Sequence, residues 1–184
     1  MKLQDNDLKE HQDSELYRLN QLRRHAKKCY KERYHGYYDI IASNLLMLNL
    51  DNKIDISSES KMLCLGVRNE HEKECFAKAL QTECVEVFSN DISPYSQADF
   101  VFDFQTIPEE HKNRWDIIYS NSIDHAQDAT STFYEWVKMV KPGKIMIIGF
   151  DVLSDTPSNS DLCTFSLEGI NNFMSHQESV KIID

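Results

Sequence analysis

Apolar residues between positions 14 and 50 recur at three- and four-residue steps, whereas after position 60 they gather into short runs. The first pattern is that of helices and the second that of strands. Leu16, Leu19, Leu22, Ala26, Cys29 and Tyr30 predict a helix from Ser14, behind a polar and acidic stretch over 1–13. Gly36 interrupts it. Ile40, Ile41, Leu45, Leu46 and Leu48 predict a second helix over 37–50, packed as ordinary core. A polar linker covers 51–60.

Apolar runs then predict strands over 61–67, 84–90, 99–104, 115–120 and 144–150, with a last one over 180–183. Helical patterns lie between them at 71–80, 129–140 and 166–176, and a polar loop covers 154–161. Asp128 has the place of an N-cap, and Pro142-Gly143 stops the helix before the fifth strand. Alternating strands and helices predict an α/β fold with a mainly parallel sheet covered on both faces. The chain divides into a helical N-terminal extension over 1–57, a candidate lid over a substrate, and an α/β domain over 58–184. In such sheets ligands bind beyond the carboxyl ends of the strands. Functional weight therefore falls on 66–72, 91–94, 103–105, 121–125 and 150–151.

Composition narrows the partners. The chain has 184 residues, 41% hydrophobic and 27% charged, with a formal net charge of −10. An acidic surface does not steer toward nucleic acid or anionic membrane. No apolar run reaches the roughly 18 residues that span a bilayer, and the polar start has no signal-peptide core. Five cysteines without paired spacing read as reduced thiols in a reducing cytoplasm, and no zinc pattern or other metal site is present. The charge is uneven: Arg18, Arg23, Arg24, Lys27, Lys28, Lys31 and Arg33 crowd one segment. They either steer an anionic small-molecule substrate or form a solvated face that pairs with the protein's own acids.

The succession LCLGVRNEHE, VFSNDISP, DFVFDFQTIP, WDIIYSNSIDH and VKMVKPGKIMIIGF resembles the class I S-adenosylmethionine-dependent methyltransferases over about 61–151. That resemblance implies a three-layer Rossmann-like fold, S-adenosylmethionine as cofactor, and methyl transfer to an O or N atom of a small-molecule acceptor. It also implies site roles. Gly66 lets the backbone approach the cofactor, with the amides of Val67, Arg68 and Asn69 facing its carboxylate. Asp91, followed by Ile92, accepts from the ribose hydroxyls. Asp103 accepts from the adenine amino group, and Phe104 packs on the ring. Asn121 and Ser122 sit where cofactor and substrate meet, and His125 acts as general base or orients the substrate with Asp124 beside it.

Each position also has a plainer reading. Gly66 serves a strand-to-helix turn, Asp91 a turn ahead of Pro94, and Asp103 the solvent side of a short strand. The residues from Asn121 to His125 cap the following helix. The chain departs from the family's glycine-rich loop at Arg68 and Glu70. A non-catalytic binding or regulatory subunit with the same fold therefore stands beside the enzyme, as does action through a homodimer or a partner protein.

Overall fold

The computed structural model describes residues 35–67, 70–150 and 165–175. Helix α1 (His35–Leu50) leads into strand β1 (Lys61–Leu65) and helix α2 (His71–Ala79). Strands β2 (Glu86–Asp91), β3 (Phe100–Val101) and β4 (Trp115–Ser120) follow. Helix α3 (Ala129–Met139), strand β5 (Val140–Ile148) and helix α4 (Leu167–Ser175) complete the order. The helix expected from Ser14 and the strand expected over 180–183 lie outside the described residues, as do Arg68, Asn69 and the loop over 154–161.

The five strands form one sheet in the order β3-β2-β1-β4-β5, and every neighbouring pair is parallel. Strand β1 sits at the centre because its residues are apolar on both faces. Met62 and Cys64 enter one core with Phe76 and Tyr119, while Leu63 and Leu65 enter the other with Trp115, Ile118 and Trp136. Parallel strands buried on both faces need this composition. The structure is therefore the parallel α/β sheet that the alternation implied and the Rossmann-like fold that the resemblance implied.

Two elements differ from the sequence reading. Strand β3 is only two residues long, because Asp103 accepts from the Gln105 backbone amide at 2.9 Å and turns the chain. Strand β5 begins at Val140, before Pro142-Gly143. Val140 pairs with Trp115, a register shift follows, and Ile145 then pairs with Ile117. Gly143 takes φ +75° at that irregularity, a conformation that costs glycine little. Helix α3 starts as read: Asp128 accepts from the Ser131 amide at 3.0 Å and from its hydroxyl at 2.8 Å.

Helix α1 belongs to the α/β core. Tyr38, Ala42 and Leu45 are buried in the same cluster as β1, α2 and β4. Its far end is fixed by Asn49, whose side-chain amide donates to the Ile56 carbonyl and whose Oδ1 accepts from the Ile56 amide. At the amino edge of the sheet, Asp116 accepts from the Lys61 amide at 3.0 Å and from Lys141 at 2.7 Å. Burial alone would raise the Asp116 pKa, but these donors and Lys144 outweigh it and hold it below the usual carboxylate range.

Candidate functional site

Because every pair is parallel, the carboxyl ends of all five strands share one edge. The register aligns Leu65 with both Asn90 and Ser120, and Ser120 with Ile148. The next residues in each strand, Gly66, Asp91, Asn121 and Gly149, therefore form a row. Asp103 lies past the end of β3, next to that row.

Gly66 has φ +72°, where a side chain would be strained. A Cβ there would also meet the Ser122 Cβ and Oγ at 3.0 Å and the Phe104 ring at 3.3 Å. The protein's own packing thus accounts for the glycine. The Val67 amide donates to the Asn90 carbonyl at 2.9 Å, so that donor is engaged inside the sheet rather than turned toward a ligand. In the turn that leads into α2, Glu70 takes the left-handed conformation with φ 61°. Its Oε2 accepts from Ser89 at 2.6 Å, in a network with Asp99 and Lys73. Burial alone would raise the Asp99 pKa, but Lys73 and Ser89 outweigh it and leave it lowered.

Asp91 is the last residue of β2 and is buried, and its Oδ1 accepts from the Ser93 amide at 2.6 Å. That bond fixes the carboxyl group at the strand end. Ile92 is half-buried beside it. Phe104 is buried against Trp136, with ring centroids 5.6 Å apart, and its carbonyl accepts from the Trp136 indole at 2.9 Å. That ring packs in the core beside Gly66. Asp103 uses Oδ1 to hold the Gln105 turn.

After β4, Asn121 is exposed and Ser122 buried. The Ser122 amide donates to Ser120 Oγ at 3.1 Å, and Ser120 Oγ donates to the Leu65 carbonyl at 3.1 Å. This pair ties the loop to the end of β1. A short 3-10 turn over Ile123–His125 then carries Asp124 and His125, both half-buried. These residues line up along the edge between Gly66 and α3.

Four groups that carried no role in the sequence reading also meet here. Tyr37 and Tyr38 open α1, Tyr119 lies in β4, and Glu72 starts α2. The Tyr38 hydroxyl donates to Glu72 Oε1 at 3.1 Å. The Tyr37 hydroxyl comes so close to Gly149 that a Cβ there would lie 2.9 Å from it. The adjacent tyrosines were the visible signal, but helical periodicity sets their spacing and not their partners.

No protein-family model matches the sequence, and no curated protein matches it. Solved structures do match by shape. The CurJ carbon methyltransferase has a TM-score of 0.54 at 15% identity, over 72% of this chain and 39% of that one. Geranyl diphosphate C-methyltransferase from Streptomyces coelicolor A3(2), solved with geranyl diphosphate, Mg2+ and S-adenosyl-L-homocysteine, has a TM-score of 0.54 at 12% identity. That match covers 86% of this chain and 78% of the other. At such identities the likeness is one of fold.

Proposed function

We propose that this chain, whose fold is that of the class I S-adenosylmethionine-dependent methyltransferases, transfers a methyl group from S-adenosylmethionine to a small-molecule acceptor. The observation that carries the reading is the row of Gly66, Asp91, Asn121 and Gly149 along one carboxyl edge of a β3-β2-β1-β4-β5 sheet. Ligands of open parallel sheets bind at that edge. The buried carboxyl group of Asp91 suits the ribose diol, since a carboxylate accepts two hydrogen bonds where its own turn already orients it. Ile92 and Asp103 flank the nucleoside end, and Gly66 permits the sharp exit from β1.

When bound, the cofactor supplies an activated methyl group on a sulfonium. The chain's own residues then bind and orient. Asn121 offers amide donors and an acceptor between cofactor and substrate. His125, next to Asp124, takes a proton from an oxygen or nitrogen acceptor or holds its hydroxyl. Much of the acceleration in such a transfer comes from holding the reactants in line. Both neighbours of the fold bear names as carbon methyltransferases. Our reading of the acceptor atom is O or N, with the His125 loop taking the proton that the methylated atom releases. The basic segment before α1 favours an anionic acceptor.

Titration calorimetry with S-adenosylmethionine and S-adenosylhomocysteine tests the proposal. One-to-one micromolar binding is expected, weakened about tenfold or more in Asp91→Ala, the usual effect of losing a hydrogen bond to a charged group. Absence of binding at millimolar ligand would overturn it.

A second reading keeps the fold and drops the chemistry. Glu70 favours it, since a left-handed glutamate with its carboxylate turned into the Ser89 network stands in the turn after β1. Under that reading the cofactor binds, if at all, without turnover, and the His125→Ala variant behaves as wild type with any acceptor.

A further inference from the structure

A cleft between α3 and α4 adjoins the site. No polar atom is exposed in its lining, so Thr130 contributes carbon only. Two of its walls are continuous with the carboxyl edge of the sheet. Ile123 belongs to the same short turn as Asp124 and His125, and Phe150 directly follows Gly149. A Cβ on Gly149 would lie 3.1 Å from the Asn121 Cβ, so the Phe150 wall and the Asn121 loop draw together there.

Helix α4 accounts for the hollow. None of its 9 residues is buried, although Ile170 and Phe173 turn toward the inner cluster. Ring pairs hold it off its neighbours. Phe173 meets Phe133 of α3 edge-on at 5.0 Å, and Phe165, just before α4, meets Phe150 edge-on at 5.0 Å. Side chains that face a hollow have no partner atoms on that side and forgo dispersion contacts. Water does not offset the loss, because an ordered water needs several polar partners and this lining exposes none. A hydrocarbon group does offset it, since its own apolar surface and that of the cleft leave water together.

From this geometry we infer that the cleft takes the hydrocarbon part of the acceptor, which is then an alcohol or amine carried on an apolar chain. The polar end lies at the Asn121–His125 loop and the tail between α3 and α4. Ile170 and Phe173 touch only the tail and set how long it is. The inference rests on the proposed function for the ligand's being a methyl acceptor, and on the cleft alone for its apolar character.

Nuclear magnetic resonance titration of the full chain tests it. The probes are n-butanol, n-hexanol and n-octanol, with 1,6-hexanediol as a chain of equal length that is polar at both ends. Affinity should rise about three- to fourfold for each further methylene buried, until the tail reaches the end of the cleft. The diol should bind about tenfold more weakly than n-hexanol, because its second hydroxyl loses water without gaining a partner. In Ile170→Trp, which fills the cleft, n-hexanol should lose its advantage over n-butanol. In Ile170→Asn, which makes the wall polar, the gap between n-hexanol and the diol should close. Both variants should bind S-adenosylhomocysteine as the wild type does, since Ile170 lies outside the row of strand ends. Affinity independent of chain length, or equal for n-hexanol and the diol, overturns the inference. The proposed function then still stands if S-adenosylhomocysteine binds. Chain-length dependence without S-adenosylhomocysteine binding overturns the proposed function and leaves the cleft a site for hydrocarbon groups. An undiminished advantage of n-hexanol in Ile170→Trp would put the tail elsewhere and overturn the inference too. So would a dimer in sedimentation that Ile170→Trp dissociates, because a second copy would then fill the cleft. If the Trp variant melts early, the comparison of n-hexanol with the diol in the wild type decides alone.

Discussion

Gly66 illustrates how one residue answers to two demands. Its φ of +72° and the close Ser122 and Phe104 contacts both exclude a side chain. Gly66→Ala should cost about 1–3 kcal/mol from the left-handed backbone and the crowding together. Chemical denaturation measures it, with an unchanged m-value marking a pure loss of stability. Stability equal to wild type would mean that the loop relaxes and that the turn is not fixed by Ser122. Glu70 is the opposite case, because a glutamate at φ 61° stores strain that its Ser89 bond and the Lys73 pair offset. Neither fact was legible in the sequence. The glycine was visible, but whether it faced a ligand or its own chain depended on where Ser122 returned. Nothing in a glutamate codon announces a left-handed backbone. The acids at positions 91 and 103 were legible as strand-end groups. Their turn bonds to the Ser93 and Gln105 amides belong to the plainer reading, and for Asp91 the two readings coexist, since a carboxylate has acceptor capacity for both.

At the scale of elements, apolar runs located β1 and β4 because a strand buried on both faces must be apolar throughout. Strand β3 was read too long, since DFVFDF alternates correctly but carries turn-forming acids at both ends. The N-cap of α3 was legible because capping is local in sequence. Asp128→Ala should lower stability by about 1 kcal/mol, and it should do so without altering ligand binding. Thermal melting checks the first part and calorimetry the second. Helix α1 was assigned to an N-terminal extension with its apolar stripe packed as core, and Tyr38, Ala42 and Leu45 are buried in the core of the sheet. Periodicity revealed its apolar face, while its partners, Phe76 and Tyr119, come from elements far along the chain. About 24 Å long by its 16 residues, it reaches from the ligand edge toward the opposite one. Its outward residues Ile40, Met47 and Leu50 are 63%, 60% and 77% exposed.

For the whole molecule, acid stability turns on a buried ring. His111 is only 3% exposed, stacked parallel on Trp115 at 5.8 Å and edge-on to Phe100 at 4.8 Å. Burial first, then the Arg114 charge, lowers its pKa, with Glu110 opposing weakly. In the unfolded chain the imidazole takes a proton near pH 6.5, while in the folded protein it resists until lower pH. Stability is therefore full above about pH 6.5 and falls as the pH drops from there through the folded-state value. Melting curves between pH 7.5 and 5 should show the decline, and His111→Phe should flatten it. An unchanged slope in that variant would assign the titration elsewhere. Asp116 acts in a lower window: its depressed pKa adds stability above the ordinary carboxylate range that is lost only as the pH falls below it.

The order β3-β2-β1-β4-β5 also governs how the chain is made. None of its pairs is a hairpin, so each contact waits for a crossover to be synthesised. The central strand waits longest on its β4 side. The Lys61 amide meets its Asp116 acceptor only after 55 further positions have emerged. At ordinary translation speeds this is roughly 3–11 s during which one flank of β1 has no partner and the inward face of α1 lacks Tyr119. A nascent chain of this design needs a chaperone or a slow ribosome less at its end than in its middle.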